Sequence, residues 1–299
     1  MKGISVHIFL FILFLVGNAC ELPDILPDNL SLQSENKDRV TTEYLREPDG
    51  MIVVHIPPGE FYAGSEKPLH YEHEKPSLNL RMSHFLIDKF EISVEQYQLC
   101  VKAGKCQKPL VSAPETFPLT AELPVTGVSY EQALSYCGWV KMQLPTEAQW
   151  EFAAKGRYST VYPWGSNLHE RQTGQPIMDR IRPVAGNPPA PAPVSTLDNP
   201  STESSFGIFH LAGNVSEWTM DDADIDKKGN LQPRALSEDQ ERNRRDKDYK
   251  NTGDSPHKII KGASYLSVFP VFQRASYRSY APKNSGSNFI GFRCGLELH

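Results

Sequence analysis

Leu144-Pro-Thr-Glu-Ala-Gln-Trp-Glu-Phe-Ala153 marks the start of a helix. The Thr146 hydroxyl is placed to accept from the backbone N–H three residues on, while Gln149 reaches back to the cap. That reciprocal pair is a capping box. Trp150, Ala153 and Ala154 then recur at helical spacing. The same chemistry occurs at Ser93-x-x-Gln96, followed by Val94, Tyr97 and Val101, and at Ser129-x-x-Gln132, followed by Ala133, Leu134 and Cys137. One box is a weak signal, but three boxes with matching apolar stripes predict three short helices. Gly104 and Gly156 supply stops for the first and third.

Around these helices lie short β-branched or aromatic runs. Met51-Ile-Val-Val-His-Ile56 ends at Pro57-Pro58-Gly59; Glu60-Phe-Tyr-Ala-Gly-Ser65 runs into a turn; Phe85-Leu-Ile-Asp88 follows. Lys258-Ile-Ile-Lys-Gly-Ala-Ser264 and Ile290-Gly-Phe-Arg-Cys294 close the chain. Residues 157–205 are rich in Pro, Asn, Gly and Ser and read as long loops, and residues 221–257 read as a charged surface insertion. Strands, short helices and long loops in this order give an α+β class, not a doubly wound sheet.

Composition bounds the function. The chain has 299 residues, 39% of them hydrophobic, which is enough for a real core. Its 31 basic and 36 acidic side chains leave a net charge of −5, which excludes the basic footprint of a nucleic-acid binder. At the N-terminus, Lys2 precedes an apolar run from Ile4 to Val16, then Gly17, Asn18, Ala19 and Cys20. That is the layout of a secretory signal, and the run is short for a membrane span. The small residue before Cys20 resembles a lipobox, so residues 1–19 are read as a signal peptide and Cys20 as a lipidation site. An ordinary cleaved signal peptide and an uncleaved anchor are the other readings. The lipoprotein would be exported and anchored to the inner or outer membrane, facing the periplasm or the surface. Residues 20–49 are then the lipidated Cys and a flexible tether, and residues 50–299 the folded domain.

Several segments together resemble the formylglycine-generating-enzyme (sulfatase-modifying-factor) family. They are Pro124-Val-Thr-Gly-Val-Ser-Tyr-Glu-Gln-Ala133, the 144–153 segment, Tyr162-Pro-Trp-Gly165, Leu211-Ala-Gly-Asn-Val-Ser-Glu-Trp218, Lys261-Gly-Ala-Ser264 and Gly291-Phe-Arg293. Upstream, Ile56-Pro-Pro-Gly-Glu-Phe61 and Ile87-Asp-Lys-Phe-Glu-Ile92 fit the same pattern and order. The resemblance implies one domain of that family's fold, a variant of the C-type-lectin fold.

The chain holds five cysteines, and with Cys20 set aside Cys100, Cys106, Cys137 and Cys294 remain, an even number in an oxidising compartment. Three pairings are possible. A local bridge from Cys100 to Cys106 across a helix end is easy, and the resemblance implies a bridge from Cys137 to Cys294. Catalytic members of the family use two cysteines after this segment to bind copper(I), for which soft thiolates are the fitting ligands. Here Ser267 and Phe272 stand at those positions, and residues 254–293 contain no Cys. Neither copper nor Cys-to-aldehyde oxidation by that route is therefore expected.

The resemblance also implies a structural calcium at Asn214, Val215 and Glu217, since hard oxygen ligands on a bent loop suit that ion. It further implies a groove that includes Tyr265, Phe269, Phe272, Tyr277 and Tyr280. His70-Tyr-Glu-His73-Glu74 is a dense polar cluster read as a loop, not a metal site. Asp222, Asp224 and Asp226 read as a solvated acidic face, because Lys227 stands where a calcium loop needs Gly. Trp139, Trp150, Trp164 and Trp218 are expected to pack the core. Asn214-Val-Ser216 is formally a glycosylation sequon.

Two function classes follow. One is a non-catalytic envelope lipoprotein whose groove holds a protein, peptide or glycan. The other is an oxidoreductase of the formylglycine-generating or non-haem-iron type with altered metal chemistry.

Overall fold

The computed structural model describes residues 26–68, 70–112, 120–167, 203–234, 255–267 and 269–298. All three expected helices form: α1 (Val94–Lys102), α2 (Tyr130–Trp139) and α3 (Glu147–Lys155). Each begins at a complete capping box, with the Ser93, Ser129 or Thr146 hydroxyl accepting from the N–H of Gln96, Gln132 or Gln149. Gly156 caps α3 at φ +64°, a left-handed value that favours glycine.

The strands are β1 (Leu30–Asn36), β2 (Thr41–Arg46), β3 (Ile52–Ile56), β4 (Gly59–Ala63), β5 (Leu78–Met82), β6 (Phe85–Asp88), β7 (Ser216–Asp222), β8 (His257–Lys261), β9 (Arg278–Pro282), β10 (Ile290–Gly291) and β11 (Gly295–Glu297). They build a five-stranded sheet in the order β1-β2-β3-β6-β11, a four-stranded sheet in the order β10-β7-β8-β9, and a β4-β5 hairpin. Strand alternation splits the core in two. Val53 and Leu86 point to a cluster with Tyr97, Tyr136, Trp218 and Phe292; Val54, Ile56, Phe85 and Ile87 point to one with Phe61, Trp150, Phe152 and Phe206. The middle strand β3 is thus buried on both faces, which is why its sequence is apolar apart from the buried His55. Trp150 and Trp218 are core as expected, whereas Trp139 is only partly buried against the first cluster and Trp164 stacks on Tyr162 with ring centroids 5.1 Å apart.

The tether assignment is corrected from Leu26 onward. β1 and β2 pair antiparallel, and β2 joins β3 with Thr42 opposite His55 and Tyr44 opposite Val53. The β1 residues after Leu30 are all exposed, so composition there looks like a linker. Ordering comes from the ladder and from charge. The fully buried Arg46 bridges Asp49 and Asp88, each at 2.6 Å, while Leu26 and Leu30 rest on the first core.

The insertion is corrected too. Asp221, Ala223 and Arg234 are buried, and His257 opens β8, so residues 221–234 and 255–257 belong to the domain. Residues 235–254, like residues 1–25 with the signal segment and Cys20, lie outside the described residues. No helix among the described residues is long and apolar enough to cross a membrane.

Candidate functional site

The segment after β8 turns sharply. Gly262 sits at φ +75°, and a Cβ there would lie 3.1 Å from the Trp150 ring, so a glycine lets the strand pass that indole. Next comes a closed serine turn. The Ser267 N–H donates to the Ser264 carbonyl at 2.9 Å, and the Ser264 N–H donates to the Ser267 hydroxyl at 3.1 Å. Ser267, which the family resemblance sets at the first cysteine position, is therefore a turn-forming hydroxyl. Tyr265 is drawn away from the surface: its N–H donates to the Asn214 carbonyl at 2.7 Å and its hydroxyl to the Asn288 carbonyl at 3.2 Å.

Phe272, which the same resemblance sets at the second cysteine position, joins a chain of rings. Its centroid lies 6.1 Å from Phe269 and 5.2 Å from Tyr277, both edge-on. Tyr277 in turn meets His73 at 5.5 Å and Tyr71 at 5.9 Å, and Tyr71 stacks on His73 at 5.2 Å. Phe269 is 60% exposed and Tyr71 44%, so the outer rings of the chain face solvent. Of the five groove residues expected from sequence, Phe269, Phe272 and Tyr277 gather here. Tyr265 does not, and Tyr280 turns to the opposite end of β9, where its hydroxyl donates to the Gly229 carbonyl at 2.6 Å. Tyr71 and His73 were missed, because the 70–74 cluster reads as polar when its rings are not paired with a distant partner.

A carboxylate anchors the chain of rings from below. Glu74 is fully buried; it takes a hydrogen bond from the Ser276 hydroxyl at 2.6 Å, bonds from both arms of Arg274, and one from the Tyr71 N–H at 2.9 Å. Burial pushes this acid up, but the Arg274 and Ser276 bonds outweigh that and hold it below the usual range. The same burial keeps His73 and His70 below the ordinary imidazole value, so both are neutral near pH 7.

Deeper still lies a closed charge network. Glu147 receives Arg278 at 2.7 Å and Arg234 at 2.8 Å; Glu151 receives Lys155 at 2.8 Å and Lys261 at 3.2 Å, and also pairs with Arg234. Burial opposes ionisation of Glu147, but Arg234, Arg278 and Lys261 override it and hold the acid at about 2. Arg278 also donates to the His73 and Gln232 carbonyls, tying the network to the ring chain. These side chains pair with one another through Glu147 Oε1 and both Glu151 oxygens, while the buried Glu147 Oε2 has no hydrogen-bond partner. The arrangement ties α3 to β8 and β9 through Lys261 and Arg278.

Two bridges account for the remaining cysteines, Cys100 to Cys106 and Cys137 to Cys294. Among the described residues no thiol is left to hold copper(I). The calcium expectation meets a different geometry. Both Glu217 oxygens are engaged by Arg293, at 2.6 and 2.7 Å, and Oε2 also accepts from the Trp150 indole at 2.9 Å. The Asn214 amide donates to Glu91 at 2.5 Å, and the Val215 N–H donates to the same carboxyl at 3.0 Å. A guanidinium occupies the place where a cation would sit, so these residues do not fit calcium. The buried Asn214 amide is equally closed to glycosylation. In the acidic run, Asp222 pairs with Lys258 at 2.5 Å and Asp226 folds onto the N–H groups of Lys228 and Asn230, each at 2.8 Å, so the carboxylates do not converge.

Comparison with known proteins places this geometry in a family. The model of the sulfatase-modifying factor enzyme 1-like domain matches residues 38–298. The chain belongs to that family, whose segments its sequence carries in order. Among its relatives, the inactive C-alpha-formylglycine-generating enzyme 2 of Mus musculus is 26% identical, with 90% of this chain and 92% of that one covered. The formylglycine-generating enzyme of Thermomonospora curvata is also 26% identical, over 83% of this chain and 93% of its own. Among solved structures, PvdO from Pseudomonas aeruginosa superposes with a TM-score of 0.62 at 18% identity, covering 84% of this chain and 96% of that one. Treponema denticola variable protein 1 superposes with a TM-score of 0.59 at 16% identity, over 87% and 99%. These two likenesses speak to the fold alone.

Proposed function

We propose that this chain is an exported, lipid-anchored binding module in which the family's oxidative site has become an aromatic recognition surface. The observation that carries this reading is the fate of the two cysteine positions. Ser267 closes a turn through its hydroxyl, and Phe272 sits inside a chain of rings whose ends face solvent. An alcohol and a phenyl ring do not replace soft thiolates at copper(I), whereas exposed aromatic rings on a rigid base suit ligand contact. A relative named as inactive supports a non-catalytic use of the same fold. Cys20, lipidated after removal of residues 1–19, would hold the module at the envelope, where it binds a protein, peptide or glycan.

The test is an oxidation assay. The protein is incubated with copper, oxygen and a peptide containing Cys-x-Pro-x-Arg, beside an active formylglycine-generating enzyme, and the products are weighed by mass spectrometry. Unchanged peptide is the expected result. Conversion of its cysteine to aldehyde overturns the reading and favours an oxidoreductase with altered metal chemistry. Export and anchoring are tested separately, by labelling cells with a radioactive fatty acid and comparing the native chain with Cys20→Ser.

A further inference from the structure

We infer that the face where the N-terminal strand meets the end of α2 lies flat on the lipid bilayer. This rests on the lipid-anchor reading and adds an interaction surface to it. Six residue steps separate Cys20 from Leu26, which rests on the first core. Fully extended, six steps reach about 20 Å at most. A lipidated Cys20 sits at the bilayer surface, so Leu26 stays within that reach of it. A tether running to residue 49 would have allowed about 100 Å, but the β1-β2-β3 ladder takes most of that length into the fold. The chain is fixed at this point to the end of α2. The Asn29 side-chain amide donates to the Val140 carbonyl at 3.2 Å and to the Glu47 carbonyl at 2.8 Å, and Lys141 pairs with Asp28. The side of the domain held nearest the bilayer is therefore the side where α2 ends.

That side carries apolar groups that the core leaves partly uncovered. Leu26, Leu30 and Trp139 are only partly buried against the first core. Leu32 lies two positions beyond Leu30, on the same face of β1, opposite Tyr44 of that core, and it is 61% exposed. Indole and leucine side chains favour the boundary between lipid headgroups and acyl chains. Lys141 is taken up by Asp28, so attraction to anionic headgroups is not what holds the face down. The lipid on Cys20 supplies the affinity, and the apolar face fixes which way the domain is turned.

The experiment uses the mature lipidated chain in phosphatidylcholine vesicles whose acyl chains carry bromine, which quenches tryptophan at close range. The native chain is expected to lose fluorescence when plain lipid is exchanged for brominated lipid. Trp139→Phe, which keeps a ring beside Tyr136, should lose that quenching. Leu32→Asp, at an exposed side chain, should reduce it in the otherwise native chain. Tyr158 is 87% exposed and follows α3, on the second-core side of the sheet. Tyr158→Trp in the Trp139→Phe chain should stay unquenched. A lipidated chain without quenching, quenching unchanged by Trp139→Phe or by Leu32→Asp, or equal quenching at position 158 overturns the docked face. Trp139 shielded from aqueous iodide but not quenched by bromine means that protein covers it, and also overturns the docked face. In each of these cases the anchor reading stands. Absence of fatty acid from the native chain, read by intact mass, removes the anchor reading and this inference with it.

Discussion

Glu217 and Arg293 meet fork to fork in the sealed interior, Nε to Oε2 at 2.6 Å and Nη2 to Oε1 at 2.7 Å, with neither side chain exposed. Glu91 lies beside them, and burial together with the Glu217 charge pushes its carboxyl well above the usual range. Arg293→Leu removes the cation that both acids face. The expected loss is about 3–5 kcal/mol, the cost of orphaning a buried charge, read from urea unfolding. The loss should be the same in excess calcium and in excess chelator; a calcium-dependent difference would return a cation to this turn.

Arg46 makes the N-terminal hairpin part of the domain. Arg46→Ala leaves Asp49 and Asp88 without their partner, and the Tyr136 hydroxyl bonded to Asp49 at 2.6 Å loses its fixed acceptor. A drop of about 3–5 kcal/mol is expected. A chain beginning at residue 50 should fail to give a cooperative unfolding transition, whereas one beginning at residue 26 should unfold as the longer protein does. Equal stability of the two chains would sink the assignment.

The difference between that hairpin and the three helices explains what the sequence can reveal. A capping box is local: Thr146 and Gln149 carry the whole signal within one turn. Arg46 has its meaning only once Asp88 is brought beside it, so its segment reads as linker. The candidate site follows the same rule. Phe269, Phe272 and Tyr277 stand close in the chain and are found from the family pattern, while Tyr71 and His73 join them through a tertiary contact. Glu217 was legible as a functional carboxylate, but its partner Arg293 decides that the function is structural.

Asp221 gives the protein a pH signature. Burial, then the charge of Glu147, raise its carboxyl from 3.8 to about 6, although it accepts from the Glu147 N–H at 2.5 Å. A raised folded value means the stabilising protonated form is complete below 3.8 and is lost as pH rises through about 6. Glu147 works in the opposite sense. Held at about 2, it contributes stability above its ordinary value of 4.5 that disappears as pH falls toward about 2. Asp221→Asn keeps an acceptor for the Glu147 N–H without the charge. Its stability advantage over the native chain should grow between pH 4 and 6, the interval set by the Asp221 shift, and reach about 2–3 kcal/mol at neutral pH. Parallel stability curves across that interval would remove the assignment.

The two bridges differ in the loops they close. Cys137 and Cys294 are separated by 157 positions, Cys100 and Cys106 by 6. Chain entropy alone assigns about 5 kcal/mol to the long bridge and about 2 kcal/mol to the short one. Replacing the long pair with alanines should lower the melting temperature by more than twice the shift from replacing the short pair. Equal shifts would show that local packing, not loop closure, dominates.

The last strands of the chain close what the first ones begin. β11 pairs with β6, the Cys294 N–H donates to Asp88, Phe292 fills the first core, and Arg293 neutralises Glu217. Contacts between such distant parts of the chain form slowly. A ribosome that has not yet made this segment holds a polypeptide without its keystone. A stop codon at Arg293 should therefore be as damaging as one in the middle of the gene, because every strand laid down before it still waits for Phe292, Arg293 and β11.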